Sequence, residues 1–137
     1  KKAYEENDTP IDKVSALLFA FTNVFDVYQR HITVFYNESA YLPPEYKNII
    51  KEKRTEYQKL IEQVIEEGKE SGHFRPEIST TITTMAIIGL VNWTYKWYRQ
   101  NGSLTMEQIT HHFNDLILRG VLTEQGLEEA KAKKYIM

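Results

Sequence analysis

Residues 78–95 read ISTTITTMAIIGLVNWTY and carry no charged side chain. A helix that is apolar around nearly its whole circumference cannot face water on any side, so it packs against protein on two faces or lies in lipid. Five threonines and Asn92 make this run only modestly hydrophobic, and positive charge does not concentrate at one end of it, as it does beside membrane spans. We therefore predict a helix over 79–100 that is covered by protein on both sides.

The composition narrows the class of protein. The chain has 137 residues, the length of one domain. It carries 17 Lys and Arg against 19 Asp and Glu, and it has no basic block that matches a run of phosphates. It contains no cysteine, which fits a reducing compartment and excludes disulfides. We expect a cytoplasmic domain that does not enter a membrane and does not itself contact nucleic acid.

Helix signals divide the rest of the chain into further helices, and no segment alternates as a strand does. Thr9 marks one helix start, Gly72 marks a stop, and Thr105 with Gln108 forms a capping-box pattern. The fold class is therefore all-α. The spacing of apolar residues predicts helices over 10–37, 45–71 and 105–121, and a short helix or a tail over 123–137.

The sequence lacks the motifs that usually carry catalysis or metal binding. There is no nucleophile elbow, no phosphate-cradling glycine loop and no His-Glu-x-x-His helix. Glu107, His111 and Asp115 share one helix face, but no fourth ligand accompanies them, so that face is interpreted as solvated. The sequence predicts neither an enzyme nor a bound metal or cofactor.

An ordered series of short motifs runs through the second half of the chain. It comprises GKESGHFR at 68–75, Trp93, Trp97-Tyr98, Gly102, the pattern L-T-x-E-x-I at 104–109, and Gly120-Val-Leu. In order and spacing, the series resembles the C-terminal regulatory domain of tetracycline-repressor-type (TetR family) transcription factors. It is most similar to the branch that responds to fatty-acyl-CoA or other CoA thioesters. The resemblance covers about residues 10–122.

The resemblance implies a helical bundle whose two C-terminal long helices, 79–100 and 105–121, form a dimeric four-helix interface. It also implies a ligand cavity bounded by the helices at 10–37, 45–71 and 79–100. Because the chain begins at Lys1 without an initiator methionine, residues 1–9 are interpreted as the end of a linker helix from a missing N-terminal helix-turn-helix domain. DNA would then be contacted only through that missing domain. On this interpretation residues 10–122 would form the effector-binding and dimerisation domain, and residues 123–137 would form a C-terminal tail or short helix.

Bulky rings on the first three long helices are the candidate walls of the cavity, although each ring alone also fits an ordinary core. Apolar ligand sites combine such walls with a few polar groups that orient the ligand. Asn92 is one such group, because an amide in an uncharged run must hydrogen-bond to a ligand or to a neighbouring helix. Lys53 interrupts an apolar stripe and either reaches water or, with Arg54 or Arg30, meets an anionic ligand head. The predicted ligand-binding residues are Phe21, Phe25, Tyr28, Phe35, Lys53, Tyr57, Ile61, Ile88, Asn92 and Trp93.

The other covered face of helix 79–100 is predicted to contact a second copy of the chain. Two copies of this helix and of helix 105–121 would form a four-helix interface around a two-fold axis, with Gly89 allowing close approach. The helical wheel leaves open which side faces the partner, because Trp93 and Trp97 lie on one side and Val91 lies toward another. The predicted interface residues are Ile87, Gly89, Val91, Tyr98, Ile109, Phe113, Leu116 and Ile117.

Two functions remain open from the sequence. The first is a homodimeric effector-sensing domain that binds an apolar small molecule, such as a fatty acyl-CoA, and thereby controls DNA binding. The alternative is a helical dimerisation or protein-interaction module without a small ligand. They differ in the core, because sensing requires an internal void and a simple module requires closed packing.

Overall fold

The computed structural model describes residues 2–23, 43–98 and 102–136, and every regular element in these ranges is a helix. The elements are α1 (Lys2–Glu5), α2 (helical from residue 10 through residue 23, where the described range ends), α3 (Pro44–Ser71), α4 (Thr80–Trp97), α5 (Met106–Val121) and α6 (Glu124–Ala132). The all-α prediction is confirmed. The predicted helix over 10–37 is described only as far as residue 23.

The predicted helix ends are set by local capping interactions. Thr9 accepts a hydrogen bond from the backbone of Asp12 at 3.2 Å, and Gly72 ends α3 in the left-handed conformation with φ +82°. Both halves of the capping box between Thr105 and Gln108 are present at the start of α5. Short-range chemistry therefore determines where these helices begin and end.

The turn after α3 ties the end of that helix to the junction of α5 and α6. The backbone N–H of Phe74 donates to the carbonyl of Gly68 at 2.9 Å, and that of Arg75 donates to the carbonyl of Val121 at 2.8 Å. The Phe74 side chain is fully buried against Gly68, where a β-carbon would lie 2.2 Å from the phenyl ring. This contact requires glycine at position 68 and fixes the direction in which the chain enters α4.

Buried polar side chains join α2 to α5. Thr110 donates its hydroxyl proton to Thr22 at 2.7 Å, and the Asn114 amide donates to Ser15 at 3.1 Å. All four residues are buried. Because buried polar groups are costly to leave unpaired, these contacts fix the register of α2 on α5.

The C-terminal residues pack more closely than the prediction of a tail or short helix implied. Helix α6 buries Ala130 completely, and Ile136 beyond it is also buried. Lys133 reaches back to Asp12 near the start of α2, with its Nζ 2.9 Å from the carboxylate. The segment therefore covers the base of the core. None of the helices in the described ranges is long and apolar enough to cross a membrane.

Candidate functional site

Helices α2, α3 and α4 enclose several of the residues predicted to bind a ligand. Phe21 stacks on Tyr57, with the ring centroids 4.8 Å apart and the planes 28° from parallel. Ile61, one turn further along α3, is buried, and so is Ile88 on α4. Burial raises the pKa of the Tyr57 hydroxyl, so this group stays neutral and can donate a hydrogen bond. The described part of the site is apolar with one polar group at its edge.

A small cavity of about 10 Å³ lies beside the stacked rings. Its walls are entirely apolar and consist of Val14, Leu17, Leu18, Phe21, Ile61, Ile87 and Ile117. This volume is at the lower limit for one water molecule. The described parts of α2, α3 and α4 therefore leave almost no space at this cavity, and a ligand bound there would have to push α2 and α3 apart.

The other predicted ligand-binding residues are distributed differently. Asn92 is half-buried on α4, and Lys53 is exposed on α3. Trp93 is 61 % exposed, the Lys96 ammonium lies 5.9 Å from its ring centroid, and its indole is not among the walls of the small cavity. The remaining three predicted residues lie outside the described residues, and they are Phe25, Tyr28 and Phe35.

An apolar stripe lies on the outer side of α4 and continues onto α5. On α4 it repeats every three or four residues, the spacing of one helix face. Trp97 meets Phe113 of α5 edge to face, with the centroids 6.4 Å apart, so the rings join the two helices. The exposed members of this surface, which we call the α4–α5 stripe, are Ile82, Met85, Gly89, Trp93, Trp97 and Leu116. Exposed apolar surface of this extent is typical of a protein interface.

Five of the eight residues predicted for the dimer interface instead lie inside the core of one protomer. They are Ile87, Val91, Tyr98, Ile109 and Ile117. Their own chain already covers them, so they have no surface left for a partner. Gly89 and Leu116 are exposed, and Phe113 is half-buried. The accessible side of α4 is therefore the side of the two tryptophans, one of the two sides that the helical wheel left open.

Sequence reasoning did not select Ile82, Met85 or Trp97 for the interface. Their four- and three-residue spacing around Gly89 was the available signal. That signal was weak because the opposite face of the same run is equally apolar, so the sequence showed no contrast between the faces.

A cluster of polar side chains joins α1 to α2 and α3. The Tyr4 hydroxyl donates to the Glu67 carboxylate, and Lys13 Nζ lies 3.1 Å from the other carboxylate oxygen. The hydrogen bond to Glu67 raises the pKa of the Tyr4 hydroxyl. Burial alone would raise the pKa of Glu67, but hydrogen bonds from Tyr4 and Lys13 outweigh it, and the pKa lies below its ordinary value. Glu67 is thus held as a carboxylate.

A second cluster holds the C-terminal residues on the start of α2. Asp12 accepts hydrogen bonds from the Tyr135 hydroxyl at 2.6 Å and from Lys133 at 2.9 Å. Burial by itself would raise the pKa of Asp12, but these bonds and one from Thr9 outweigh burial and lower the pKa below its ordinary value. The folded state therefore favours the ionised form of Asp12.

We expect the contribution of Asp12 to stability to depend on pH. Because its pKa is lower in the folded state, the contribution is complete above the unfolded-state pKa and is lost as the pH falls, from about 5 toward 2. Asp12→Asn should lower the free energy of unfolding by about 1 to 2 kcal/mol at neutral pH, and the difference from the natural chain should shrink in acid. Urea denaturation at pH 7 and pH 3 measures this difference. Asp8→Asn, an exposed carboxylate nearby, is the control. A deficit of equal size at both pH values would contradict the prediction.

Acidic and histidine side chains on the exposed side of α5 are engaged with neighbours on the same helix. His111 Nε2 lies 4.0 Å from the Glu107 carboxylate, and Arg119 pairs with Asp115 at 3.1 Å. In the described ranges, no group of three or more His, Asp or Glu side chains is placed to hold a metal ion.

The architecture described above defines a class of protein: an all-α domain in which one helix, α4, lies between an apolar core and an exposed apolar surface. One side of α4 walls an apolar core, and the other side carries an exposed apolar stripe. The chain belongs to the family described as "Tetracyclin repressor-like, C-terminal domain", whose model matches residues 7–121.

A curated relative and its solved structure are similar to this chain in sequence and in fold. The HTH-type transcriptional repressor KstR2 of Mycobacterium tuberculosis is 22 % identical over 119 residues, which are 86 % of this chain and 59 % of the relative. This chain thus spans about three fifths of the length of the relative. The structure of the ketosteroid transcriptional regulator KstR2 of M. tuberculosis superimposes with a TM-score of 0.78 at 21 % identity, covering 90 % of this chain and 65 % of the other.

Two further solved structures share the fold. A TetR/AcrR-family regulator from Thermobifida fusca YX-ER1 has a TM-score of 0.70 at 26 % identity, covering 83 % of this chain and 60 % of the other. AibR in complex with isovaleryl coenzyme A and operator DNA has a TM-score of 0.65 at 22 % identity, covering 81 % and 60 % respectively.

Proposed function

We propose that this chain is the effector-sensing domain of a homodimeric repressor, that its effector is an acyl-CoA thioester, and that effector binding controls DNA contact by a separate helix-turn-helix domain. The observation that carries the proposal is that α4 is apolar on two opposite sides and that its own chain buries only one of them. Its inner side walls the cavity beside Phe21 and Tyr57, and its outer side carries the α4–α5 stripe. A movement of α4 at the cavity therefore changes the geometry of the dimer.

The proposed dimer places the α4–α5 stripe of one protomer on the same stripe of its partner. In a dimer with a two-fold axis, both protomers use the same surface patch. The stripe of one protomer is therefore covered by the stripe of a second copy. Gly89 lies in the middle of the stripe, where even a β-carbon would meet no heavy atom of the same chain within 4 Å, and its lack of a side chain allows two α4 helices to approach closely. Four helices, two from each protomer, then form the interface.

The choice of effector rests on chemistry and on one relative. The described cavity walls are apolar, which suits an acyl chain once α2 and α3 have separated, and the exposed Lys53 offers a positive charge outside the core for an anionic head. The solved AibR complex contains isovaleryl coenzyme A. Phe25, Tyr28 and Phe35 remain proposed members of the same site, and Asn92 remains the proposed polar contact.

The test is a thermal titration with isovaleryl-CoA and palmitoyl-CoA. Ligand at about 100 times its dissociation constant adds about 2.7 kcal/mol to the stability of the folded state, which raises the melting temperature by about 10 °C in a domain of this size. Tyr57→Ala should reduce this rise because it removes the ring that stacks on Phe21. Lys59→Ala, on the exposed side of the same helix, should leave the rise intact. An unchanged melting temperature with short and long acyl chains alike would contradict the choice of effector.

A dimerisation module without a small ligand is the second candidate, and the 10 Å³ cavity is the observation that favours it. The two candidates share the dimer and differ in the titration. The module predicts no thermal shift with any apolar ligand, together with an intact two-chain mass.

A further inference from the structure

Three helices meet at a single polar cluster beside the N-terminus. Tyr4 comes from α1, Lys13 from α2, and Glu67 from α3, and each of the three side chains contacts the other two. Lys13 Nζ lies 4.0 Å from the centroid of the Tyr4 ring and 3.1 Å from Glu67 Oε2. Gln63, one turn before Glu67, donates its amide to the Tyr4 hydroxyl at 2.6 Å. The aromatic ring and the carboxylate thus hold the same ammonium.

Partial burial makes this cluster stronger than an ordinary surface ion pair. The side chains of Lys13 and Glu67 are only 14 % and 31 % exposed. Exposed pairs contribute little because water and salt screen them, whereas hydrogen bonds to shielded charges are among the stronger ones. The cluster can therefore fix the position of a helix as short as α1, which has four residues.

The helices that supply Lys13 and Glu67 are also the helices that wall the cavity. Lys13 directly precedes the wall residue Val14 on α2. On α3, Glu67 lies less than two turns beyond the wall residue Ile61. Because a helix moves nearly as a rigid rod over such distances, separating α2 from α3 at the cavity also pulls Lys13 away from Glu67.

We propose that Tyr4, Lys13 and Glu67 form a latch that fixes α1 on α2 and α3 and transmits the spacing of those two helices to the N-terminal end of the chain. The latch deepens the function proposed above and rests on it for its biological use. With the latch intact, α1 stays attached to both α2 and α3 and moves with them. When the two helices separate, α1 loses one of its two attachments and changes direction.

The first experiment measures the position of α1 with two spin labels. The natural chain has no cysteine, so Glu5→Cys and Glu52→Cys introduce the only thiols, on exposed positions of α1 and α3. Glu52 is 15 residues before Glu67, about 22 Å along the helix, which suits a distance measurement by electron paramagnetic resonance. An excess of unlabelled chain leaves at most one labelled protomer in most dimers, so that only the distance within one protomer is measured.

Glu67→Gln should broaden the distance distribution about twofold, since it removes the charge that holds both Tyr4 and Lys13. Glu62→Gln is the matched control, because Glu62 lies on the same helix and accepts its hydrogen bond from Gln58 within α3. An unchanged distribution in Glu67→Gln would overturn the latch, and so would equal broadening in the control.

The second experiment separates α2 from α3 without any ligand. Ile61→Phe adds volume to a cavity wall that has no room for it and should shift the distance between the labels. Val14→Ile adds less volume at the same cavity and replaces the first variant if that one unfolds. In a Glu67→Gln background the shift should be lost. If neither wedge moves α1 in the natural background, transmission through the latch is refuted. Failure of isovaleryl-CoA to bind, with both wedge results as expected, would reject the proposed effector and leave the latch standing.

Discussion

Leu116→Arg is expected to separate the proposed dimer into folded monomers, whereas Ile117→Arg, one residue later, is expected to unfold the domain. The two side chains are neighbours in sequence and opposite in environment, since Leu116 is 61 % exposed and Ile117 is 7 % exposed. An arginine at position 116 meets the same charge across a two-fold axis and should weaken association by about 2 kcal/mol or more. An arginine at position 117 has no partner in an apolar core and should cost about 4 kcal/mol or more, most of the stability of a domain.

Light scattering gives the mass of each variant, and far-ultraviolet circular dichroism gives its helix content. Thr55→Arg is the control, because Thr55 is exposed on α3, away from the α4–α5 stripe, and donates its hydroxyl to a backbone carbonyl of its own helix. A two-chain mass for Leu116→Arg at low protein concentration would place the interface elsewhere. A folded Ile117→Arg would show that this part of the core is not closed.

Gly68→Ala should lower the free energy of unfolding by about 3 kcal/mol, although alanine is the better helix former. The added β-carbon would lie 2.2, 2.5 and 2.6 Å from three carbons of the Phe74 ring. That ring cannot retreat cheaply, since it is fully buried and its own backbone N–H is bonded to the Gly68 carbonyl. The clash therefore displaces the turn that connects α3 to α4.

Urea denaturation of Gly68→Ala beside Gly120→Ala measures the effect. Gly120 is also helical, but a β-carbon there meets no heavy atom within 4 Å, so alanine should stabilise α5 by about 0.5 to 1 kcal/mol. Phe74→Leu replaces the phenyl ring with a smaller side chain. In the Gly68→Ala background it should recover part of the lost free energy of unfolding. Equal stability of the two alanine variants would disprove the steric explanation.

These substitutions concern one question, which is how α4 is held between the core of its own chain and the proposed partner protomer. The turn at Phe74 sets the entry of α4, the cavity lies on its inner side, and the α4–α5 stripe lies on its outer side. Loss of the turn should therefore impair both the proposed effector binding and the proposed dimerisation. Loss of the stripe should affect only assembly, so the two sets of variants separate folding from dimerisation.

Most of the described helix ends and the family could be predicted from the sequence, although α4 ends at Trp97, three residues before the predicted end at residue 100. Ser79 accepts a hydrogen bond from the backbone of Ile82, Thr105 forms its capping box with Gln108, and Gly72 adopts the left-handed conformation. Each of these interactions joins residues at most three positions apart, so the sequence contains all the information needed. The order of the short motifs likewise identified the family that the match over residues 7–121 shows.

The site was predicted less completely, because its contacts join distant parts of the chain. Phe21 and Tyr57 were both selected, but their stacking and the near closure of the cavity appear only when α2 and α3 are packed together. The attachment of Lys133 to Asp12 spans 121 residues, and nothing local marks it. Each of these contacts depends on the path of the backbone between its two ends.

The run from 78 to 95 shows where the two kinds of information divide. Its lack of charge determined that it is a helix with protein expected on both sides, since neither face of it suits water. Which face turns inward was decided by tertiary structure alone. A uniformly apolar helix has no polar side to orient it, so its rotation is set by the partners that fill the space around it: the buried Val91 faces its own chain, and Trp93 faces outward.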